Sequence, residues 1–361
     1  MAAPFPICKD RKPLKKLLRD LLKALLFLLV GGIILWLVYR QQDQAWQAQC
    51  ALDGIPKEDC SLLKKIASDF ASADFRYLFL MLLAFAVSNL SRAARWLMLL
   101  RPLGYSPRPV NAFLTIMLGY FANLGLPRIG EIVRAGTFSR YENIPVEKTL
   151  GTVVVDRIVD VLSLAVVIAL AFLFEFDTIS RFLTPYLGGS ESEGSTPLLR
   201  YLFIALLIGG GLFWLFRKPL LRSRPGQKIM GMMKGFGEGL QSIRRVRSPF
   251  WFILHSLNIW LMYYLMTWLG FLAFEPTSQL GFSPALIVFV AGSLGMVIPS
   301  PGGLGSYHLL ITAALTGLYA INGPDAFSFA NIIFFTIQIG ANILLGLLAL
   351  ALLPVINGGE V

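Results

Sequence analysis

Hydrophobic runs separated by short polar segments cover almost the whole chain, and the length of each run indicates whether it crosses a bilayer. A spanning helix needs about 20 predominantly apolar residues. On that measure we predict an all-α polytopic membrane protein with about six full spans. The predicted spans are 24–39, 77–100, 149–174, 198–216, 250–274 and 327–353.

Two further hydrophobic runs are interrupted by proline and glycine. In the first, 111–136, a short apolar stretch reaches Gly125 and Pro127 and then becomes charged. In the second, 284–320, the break is the glycine-rich segment 299–305. Paired, interrupted hydrophobic segments in the two halves of a chain are typical of transporters whose substrate site lies near the membrane midplane. We therefore predict two re-entrant helical hairpins of opposite orientation.

The distribution of basic residues predicts the orientation in the membrane. Positively charged loops remain on the cytoplasmic side. This rule places both termini and the basic loop 217–249 on the cytoplasmic side of the membrane. The less basic loops 40–76 and 175–197 are then external. A basic amphipathic segment, 1–23, precedes the single membrane domain, 24–353, and a short tail, 354–361, follows it.

Composition supports this class and narrows the partners. Hydrophobic residues make up 56% of the chain and charged residues 15%, against roughly a quarter charged in soluble domains. The net charge is +11, and the basic residues that produce it lie beside the membrane segments. This position favours anionic lipid headgroups, and not nucleic acid, as partners. With two histidines and no phosphate-binding loop, no metal, nucleotide or other cofactor is expected. The oligomeric state is not indicated.

Two cysteines, Cys50 and Cys60, share the first external loop. In an oxidising compartment they either form a disulfide or remain as two thiols.

Charged and polar residues inside the predicted membrane segments are the candidate site. Ionisable groups at membrane depth are costly and usually face a cavity or a partner. The arginines also suit a phosphate, because the guanidinium is a planar, bidentate donor. Three alternatives to a binding site stay open. The arginines of the second span could extend to the cytoplasmic interface, the ion pairs could have only a structural role, and the first break could be a cytoplasmic loop with a Glu131–Arg134 pair. The candidates are Arg92, Arg95, Asn123, Arg128, Glu131, Arg134, Asp156, Arg157 and Asp160, with Pro299, Pro301, Gly302, Gly303 and Gly305 of the second break.

Three polar residues of the last predicted span, Asn331, Gln338 and Asn342, are interpreted as hydrogen-bonding contacts between helices.

Taken in order, the motifs of the two breaks and the Asp156-Arg157…Asp160 motif resemble the lysylphosphatidylglycerol synthase transmembrane-region, or flippase-like, family. This family is the membrane part of the multiple peptide resistance factor and is also found alone in many prokaryotic proteins. The resemblance therefore implies a prokaryotic protein of the inner (plasma) membrane. The resemblance covers about residues 15–353 and departs at Asp156, where the family commonly has Glu. The soluble aminoacyl-transferase domain of the full-length synthases is not expected here, so lysine transfer is not implied.

The resemblance implies translocation or binding of an anionic phospholipid or polyprenyl-phosphate-linked headgroup, without catalysis. A second interpretation is a non-catalytic membrane partner of a separately encoded lipid synthase or glycosyltransferase. A third is an intramembrane enzyme with Ser306 as nucleophile, which requires a histidine base on another helix.

Overall fold

A computed structural model describes residues 12–178 and 246–358, except 57, 59, 126–127, 247 and 299, with only the backbone for 12–28 and 301. Predictions on the span 198–216, most of the loops 175–197 and 217–249, the first eleven residues and Pro299 lie outside the described residues.

The described residues are helical and contain no strand, which confirms the all-α class. They form eleven α-helices: α1 Lys12–Leu52, α2 Leu62–Ser72, α3 Phe75–Leu100, α4 Pro109–Gly125, α5 Gly130–Glu142, α6 Val146–Phe174, α7 Pro249–Ala273, α8 Phe282–Val297, α9 Ser306–Tyr319, α10 Gly323–Ile333 and α11 Asn342–Ile356. A π-helical segment, Phe334–Ala341, joins α10 to α11.

Four stretches of the described chain are long and apolar enough to cross a membrane. They are Phe75–Leu103, Val146–Phe174, Pro249–Ala273 and Gly323–Ile356, and they coincide with four of the predicted spans. The predicted span 24–39 lies inside the 41-residue α1.

The segment 40–76, predicted to be an external loop, is largely helical, because α1 continues to Leu52 and α2 occupies Leu62–Ser72; its external location stays a prediction. A disulfide joins Cys50 to Cys60 and ties α2 to the end of α1. The fully buried Leu62 packs with Val38 and Phe327, so this short amphipathic helix gains its stability from tertiary packing.

Both interrupted runs form helix pairs. Helices α4 and α8 have 17 and 16 residues. At 1.5 Å per residue each is about 25 Å long, shorter than the roughly 30 Å hydrocarbon core of a bilayer. Helix α4 packs against α5, and α8 packs against α9. Their insertion from opposite sides of a membrane stays a prediction.

The first hairpin depends on a close approach of two glycines. A Cβ atom added to Gly130 would lie 2.1 Å from the carbonyl oxygen of Gly119. The side-chain oxygen of Asn123 accepts a hydrogen bond from the Gly130 amide at 2.7 Å. Asn123 therefore satisfies a backbone donor at the start of α5, where helical amides lack partners within the helix.

The second hairpin turns through residues with a left-handed backbone. Gly302, Gly303 and Gly305 have φ values of 58°, 82° and 80°, a region that glycine adopts without steric cost. The hydroxyl of Ser306 donates to the Gly295 carbonyl at 2.7 Å and links the two arms of this hairpin.

Candidate functional site

The core of the site is an ionic contact between α3 and α6. Arg92 and Arg95 lie three residues apart on α3, and Asp156 and Asp160 lie four apart on α6, so each pair projects from one face. The Nη2 atom of Arg95 is 2.6 Å from both Asp156 Oδ1 and Asp160 Oδ1, and its Nε donates to Asp156 at 2.9 Å. The Arg95 and Asp156 side chains have no exposed surface, so this contact is fully buried.

Arg92 extends the contact toward α7. Its Nη1 is 2.6 Å from Asp160 Oδ2 and 3.6 Å from Asp156 Oδ2. Its Nη2 donates to the Tyr263 hydroxyl at 3.3 Å. Three helices are thereby held together by charge-assisted hydrogen bonds, which are stronger than neutral ones.

Helix α5 contributes the remaining charges. The Nη1 atom of Arg134 is 3.1 Å from Asp156 Oδ2, and its guanidinium carbon lies 3.8 Å from the centre of the Trp96 ring. Glu131 accepts from Arg157 at 3.0 Å. Glu131 therefore pairs with α6 and not with Arg134, which excludes the solvated Glu131–Arg134 loop as the structure of this segment.

We call these seven residues the charge cluster: Arg92, Arg95, Glu131, Arg134, Asp156, Arg157 and Asp160. Its four arginines and three carboxylates leave a net charge of +1. Arg128 adds a further cation beside it, since this side chain is exposed and has no ion-pair partner among the described residues. The backbone of Arg128 is left-handed, with φ 63°, which is uncommon for a residue other than glycine.

Four residues of the charge cluster, Arg92, Glu131, Arg157 and Asp160, line a cavity of about 900 Å³, here called the central cavity. Its volume is at the upper end of the range for small-molecule sites, about 300–1,000 Å³. The rest of its wall is mainly aromatic and aliphatic and includes Phe85, Tyr120, Trp260, Phe289, Tyr307 and Phe334. The central cavity therefore combines charged side chains with a mainly apolar wall.

The two breaks meet at this cavity. Arg128 lines it from the first break, and Ser300, Gly302 and Gly303 line it from the second. A Cβ atom on Gly302 would lie 3.5 Å from the Leu124 side chain, so the second break touches the end of α4.

The predicted site residues occupy three positions relative to the central cavity. Eight line it: Arg92, Asn123, Arg128, Glu131, Arg157, Asp160, Gly302 and Gly303. Arg95, Arg134 and Asp156 are buried behind these residues and hold them in place. Gly305 faces α1 instead, where its Cβ would lie 2.4 Å from the Gly31 carbonyl oxygen, and Pro301 begins the turn before it.

Two residues that line the central cavity were not among the site residues predicted from the sequence. Gln338 and Asn342 line the central cavity, although they were predicted to join helices. They lie in and directly after the π-helical segment, where i→i+5 hydrogen bonding places other side chains on one face than an α-helix does. The polar side chains inside an otherwise apolar span were the available signal.

Ser306 is fully buried and bonded to Gly295, to the Ser300 hydroxyl at 3.0 Å and to the Gly303 carbonyl at 3.3 Å. None of its hydrogen bonds within the described chain is to a histidine. Over the same residues, no group of three or more His, Cys, Asp or Glu side chains is placed to hold a metal ion.

Comparison of the sequence with known proteins identifies relatives that are also membrane proteins. The model of the lysylphosphatidylglycerol synthase transmembrane region matches residues 61–354. A UPF0104 membrane protein of Pyrococcus horikoshii is 28% identical over 262 residues, which are 67% of this chain and 77% of the relative.

A glycosyltransferase, AglD of Haloferax volcanii, is 27% identical over 278 residues, 68% of this chain but only 44% of AglD. A UPF0104 membrane protein of Methanocaldococcus jannaschii is 33% identical over 101 residues, 27% of this chain and 30% of the relative. No solved structure matches the chain.

Proposed function

Because the chain belongs to the lysylphosphatidylglycerol synthase transmembrane-region family of membrane proteins, we propose that it binds an anionic amphiphile in the central cavity and moves its headgroup across the membrane. The substrate class is a phospholipid or a polyprenyl-phosphate-linked headgroup. The observation that carries this proposal is the amphiphilic lining of the cavity, with three arginines against two carboxylates in a mainly apolar wall.

The arginines that line the central cavity differ in how far their charges are already paired. Arg92 is committed to Asp160 at 2.6 Å, whereas Arg128 has no anionic partner within the described chain. Arg157 is shared between Glu131 and Asp160, at 3.0 and 3.4 Å, and its side chain keeps 38% of its surface exposed. Arg128 and Arg157 are therefore the residues available to bind a phosphate through charge-assisted hydrogen bonds.

The paired breaks support movement of the headgroup as well as binding. Irregular backbone at membrane depth is tolerated where it is buried in protein or lines a water-filled cavity. Here both breaks lie at the same cavity, as in transporters that bind substrate between repeats. We place the termini and the α5–α6 turn on the cytoplasmic side. The Cys50–Cys60 disulfide then lies on the external side, where disulfides persist.

The test is lipid binding by the purified chain in nanodiscs of zwitterionic phosphatidylcholine. We expect anionic phosphatidylglycerol to bind in preference to phosphatidylcholine, measured by native mass spectrometry. The Arg128→Gln variant should weaken phosphatidylglycerol binding about 10-fold or more, since a hydrogen bond to a charged group contributes about 1.5–3 kcal/mol. Its thermal stability should stay that of the wild type, because Arg128 has no ionic partner to lose in the described chain.

Arg140→Gln is the matched control, because Arg140 is exposed on α5 and does not line the central cavity. It removes the same charge and should leave the lipid preference unchanged. Equal binding of the two lipids by the wild type, or equal losses in the two variants, would contradict the proposal.

A second candidate is a membrane partner for a separately encoded glycosyltransferase. The observation that favours it is the similarity to AglD, which leaves more than half of AglD outside the matched region. In that case the purified chain alone would bind the lipid but fail to move it between leaflets, and a co-expressed glycosyltransferase would co-purify with it.

A further inference from the structure

The wall of the central cavity includes the uncharged polar side chains of Gln338 and Asn342. They lie in and directly after the π-helical segment Phe334–Ala341. Short π-helical insertions are rare and often occur at functional sites. The ion pairs of the charge cluster do not involve either residue, so these two side chains need an explanation of their own.

The carboxamide of Asn342 presents a free acceptor. Its Nδ2 donates to the Gln338 carbonyl at 3.1 Å, which fixes the orientation of the amide. The Oδ1 atom is buried and has no hydrogen-bond partner in the described chain, and the residue is only 3% exposed. A buried acceptor without a donor is disfavoured, so this oxygen is suited to a donor that a ligand brings.

Gln338 stands beside Asn342 and next to the second break. A Cβ atom on Gly302 would lie 3.2 Å from its Nε2, so only glycine leaves the amide this room. The described residues offer no hydrogen-bond partner to its side chain. Gln338 therefore supplies a side-chain donor, Nε2, in the same cavity wall as Asn342.

A second unpartnered acceptor belongs to Glu131, which also lines the central cavity. Glu131 Oε1 is bound by Arg157, whereas its Oε2 is buried without a partner among the described residues. A bare phosphate offers oxygen acceptors and would satisfy the arginines alone. The acceptors on Glu131 and Asn342 require donors in the same headgroup.

We propose that Asn342 and Gln338 determine specificity for a phosphate headgroup that carries hydroxyl groups, such as a phosphoglycerol or a glycosyl phosphate. A headgroup hydroxyl donates to Asn342 Oδ1 and accepts from the Gln338 amide, while the phosphate binds Arg128 and Arg157. An ammonium group is the competing headgroup, because it lacks an acceptor for Gln338 Nε2 but can donate to Gln338 Oε1. This inference rests on the proposed function, since it names the substrate class of the same cavity.

The test compares phosphatidylglycerol with phosphatidylmethanol, which keeps the phosphodiester charge and lacks the hydroxyls. In phosphatidylcholine nanodiscs, the wild type should bind phosphatidylglycerol about 5- to 10-fold more tightly, the range expected for one or two hydrogen bonds. Asn342→Leu should lower phosphatidylglycerol binding to the level of phosphatidylmethanol and leave phosphatidylmethanol binding unchanged. Gln338→Met, which does not remove the Asn342 contact to the backbone, should reduce the preference in the same direction.

The matched control is Asn331→Leu, the same substitution in the same span at a residue that does not line the central cavity. It should keep the preference for phosphatidylglycerol. Three results would overturn the inference while leaving anion binding intact: equal binding of the two lipids by the wild type, an undiminished preference in both cavity variants, or equally tight binding of phosphatidylethanolamine. Failure of both anionic lipids to bind above phosphatidylcholine would instead refute the proposed function itself.

Discussion

Removing the charge of Asp156 is the sharpest test of how the site is held together. Its side chain has no exposed surface and contacts three arginines: Arg95 at 2.6 Å, Arg134 at 3.1 Å and Arg92 at 3.6 Å. In Asp156→Asn, Arg92 and Arg95 keep Asp160 as a partner. Arg134 has no other ion pair within the described chain, so it would remain buried without a counter-charge.

The expected cost follows from that unpaired guanidinium. Breaking a buried ion pair by removing one partner costs about 3–5 kcal/mol. We expect Asp156→Asn to lower the thermal unfolding temperature in detergent micelles strongly. The control is Glu147→Gln, which removes one negative charge from an exposed position in the first turn of the same helix. That change should cost less than about 1 kcal/mol.

A second substitution separates lost charge balance from lost packing. If the cost comes from the unpaired Arg134, the double variant Asp156→Asn with Arg134→Met should recover part of the stability, with a coupling energy of about 1–3 kcal/mol. Stability of Asp156→Asn equal to that of Glu147→Gln would refute the reasoning. So would strictly additive losses in the double variant.

Three further perturbations test other parts of the fold. Gly130→Ala should destabilise the protein by about 1–3 kcal/mol in denaturant or thermal unfolding, because the new Cβ would lie 2.1 Å from the Gly119 carbonyl oxygen. An unchanged unfolding curve would show that α4 and α5 are not in close contact. Cys50→Ala should lower the free energy of unfolding by about 2–3 kcal/mol, as expected for loss of a disulfide that closes a short loop. Labelling of Cys50 and Cys60 by a thiol reagent in the unreduced wild type would contradict the disulfide. Arg128→Gly should leave the unfolding temperature unchanged or raise it, because glycine adopts the left-handed backbone without steric cost. The same variant should bind anionic lipid more weakly. A clear loss of stability would argue against the φ of 63° at this residue.

The fold was largely predictable because apolar run length is a direct signal. The spans that contain α3, α6, α7 and α10–α11 follow from it, and both breaks are marked by proline and glycine. Helix α2 was missed because its stability comes from a disulfide and from Leu62 packing against α10, neither of which a local pattern shows.

The site was predictable in its residues but not in its pairing. Arginines three apart and aspartates four apart each indicate a charged helix face. Their pairing joins Arg92 to Asp160 over 68 positions of sequence, and only the packing of α3 against α6 determines it. For the same reason the sequence did not show that Arg95 and Arg134 lie behind the cavity wall. The π-helical segment that contains Gln338 was not predicted, because the apolar pattern of the last span indicates only a continuous helix.

The most direct test of the central claim is a leaflet-resolved translocation assay with the purified chain in phosphatidylcholine vesicles. A trace of phosphatidylglycerol with a labelled acyl chain is placed in one leaflet, and its appearance in the other is followed over time. We expect the wild type to move this lipid faster than protein-free vesicles, and Arg128→Gln with Arg157→Gln to be slow, while Arg140→Gln matches the wild type. A wild-type rate equal to that of protein-free vesicles, or a double variant as fast as the wild type, would contradict translocation through the central cavity.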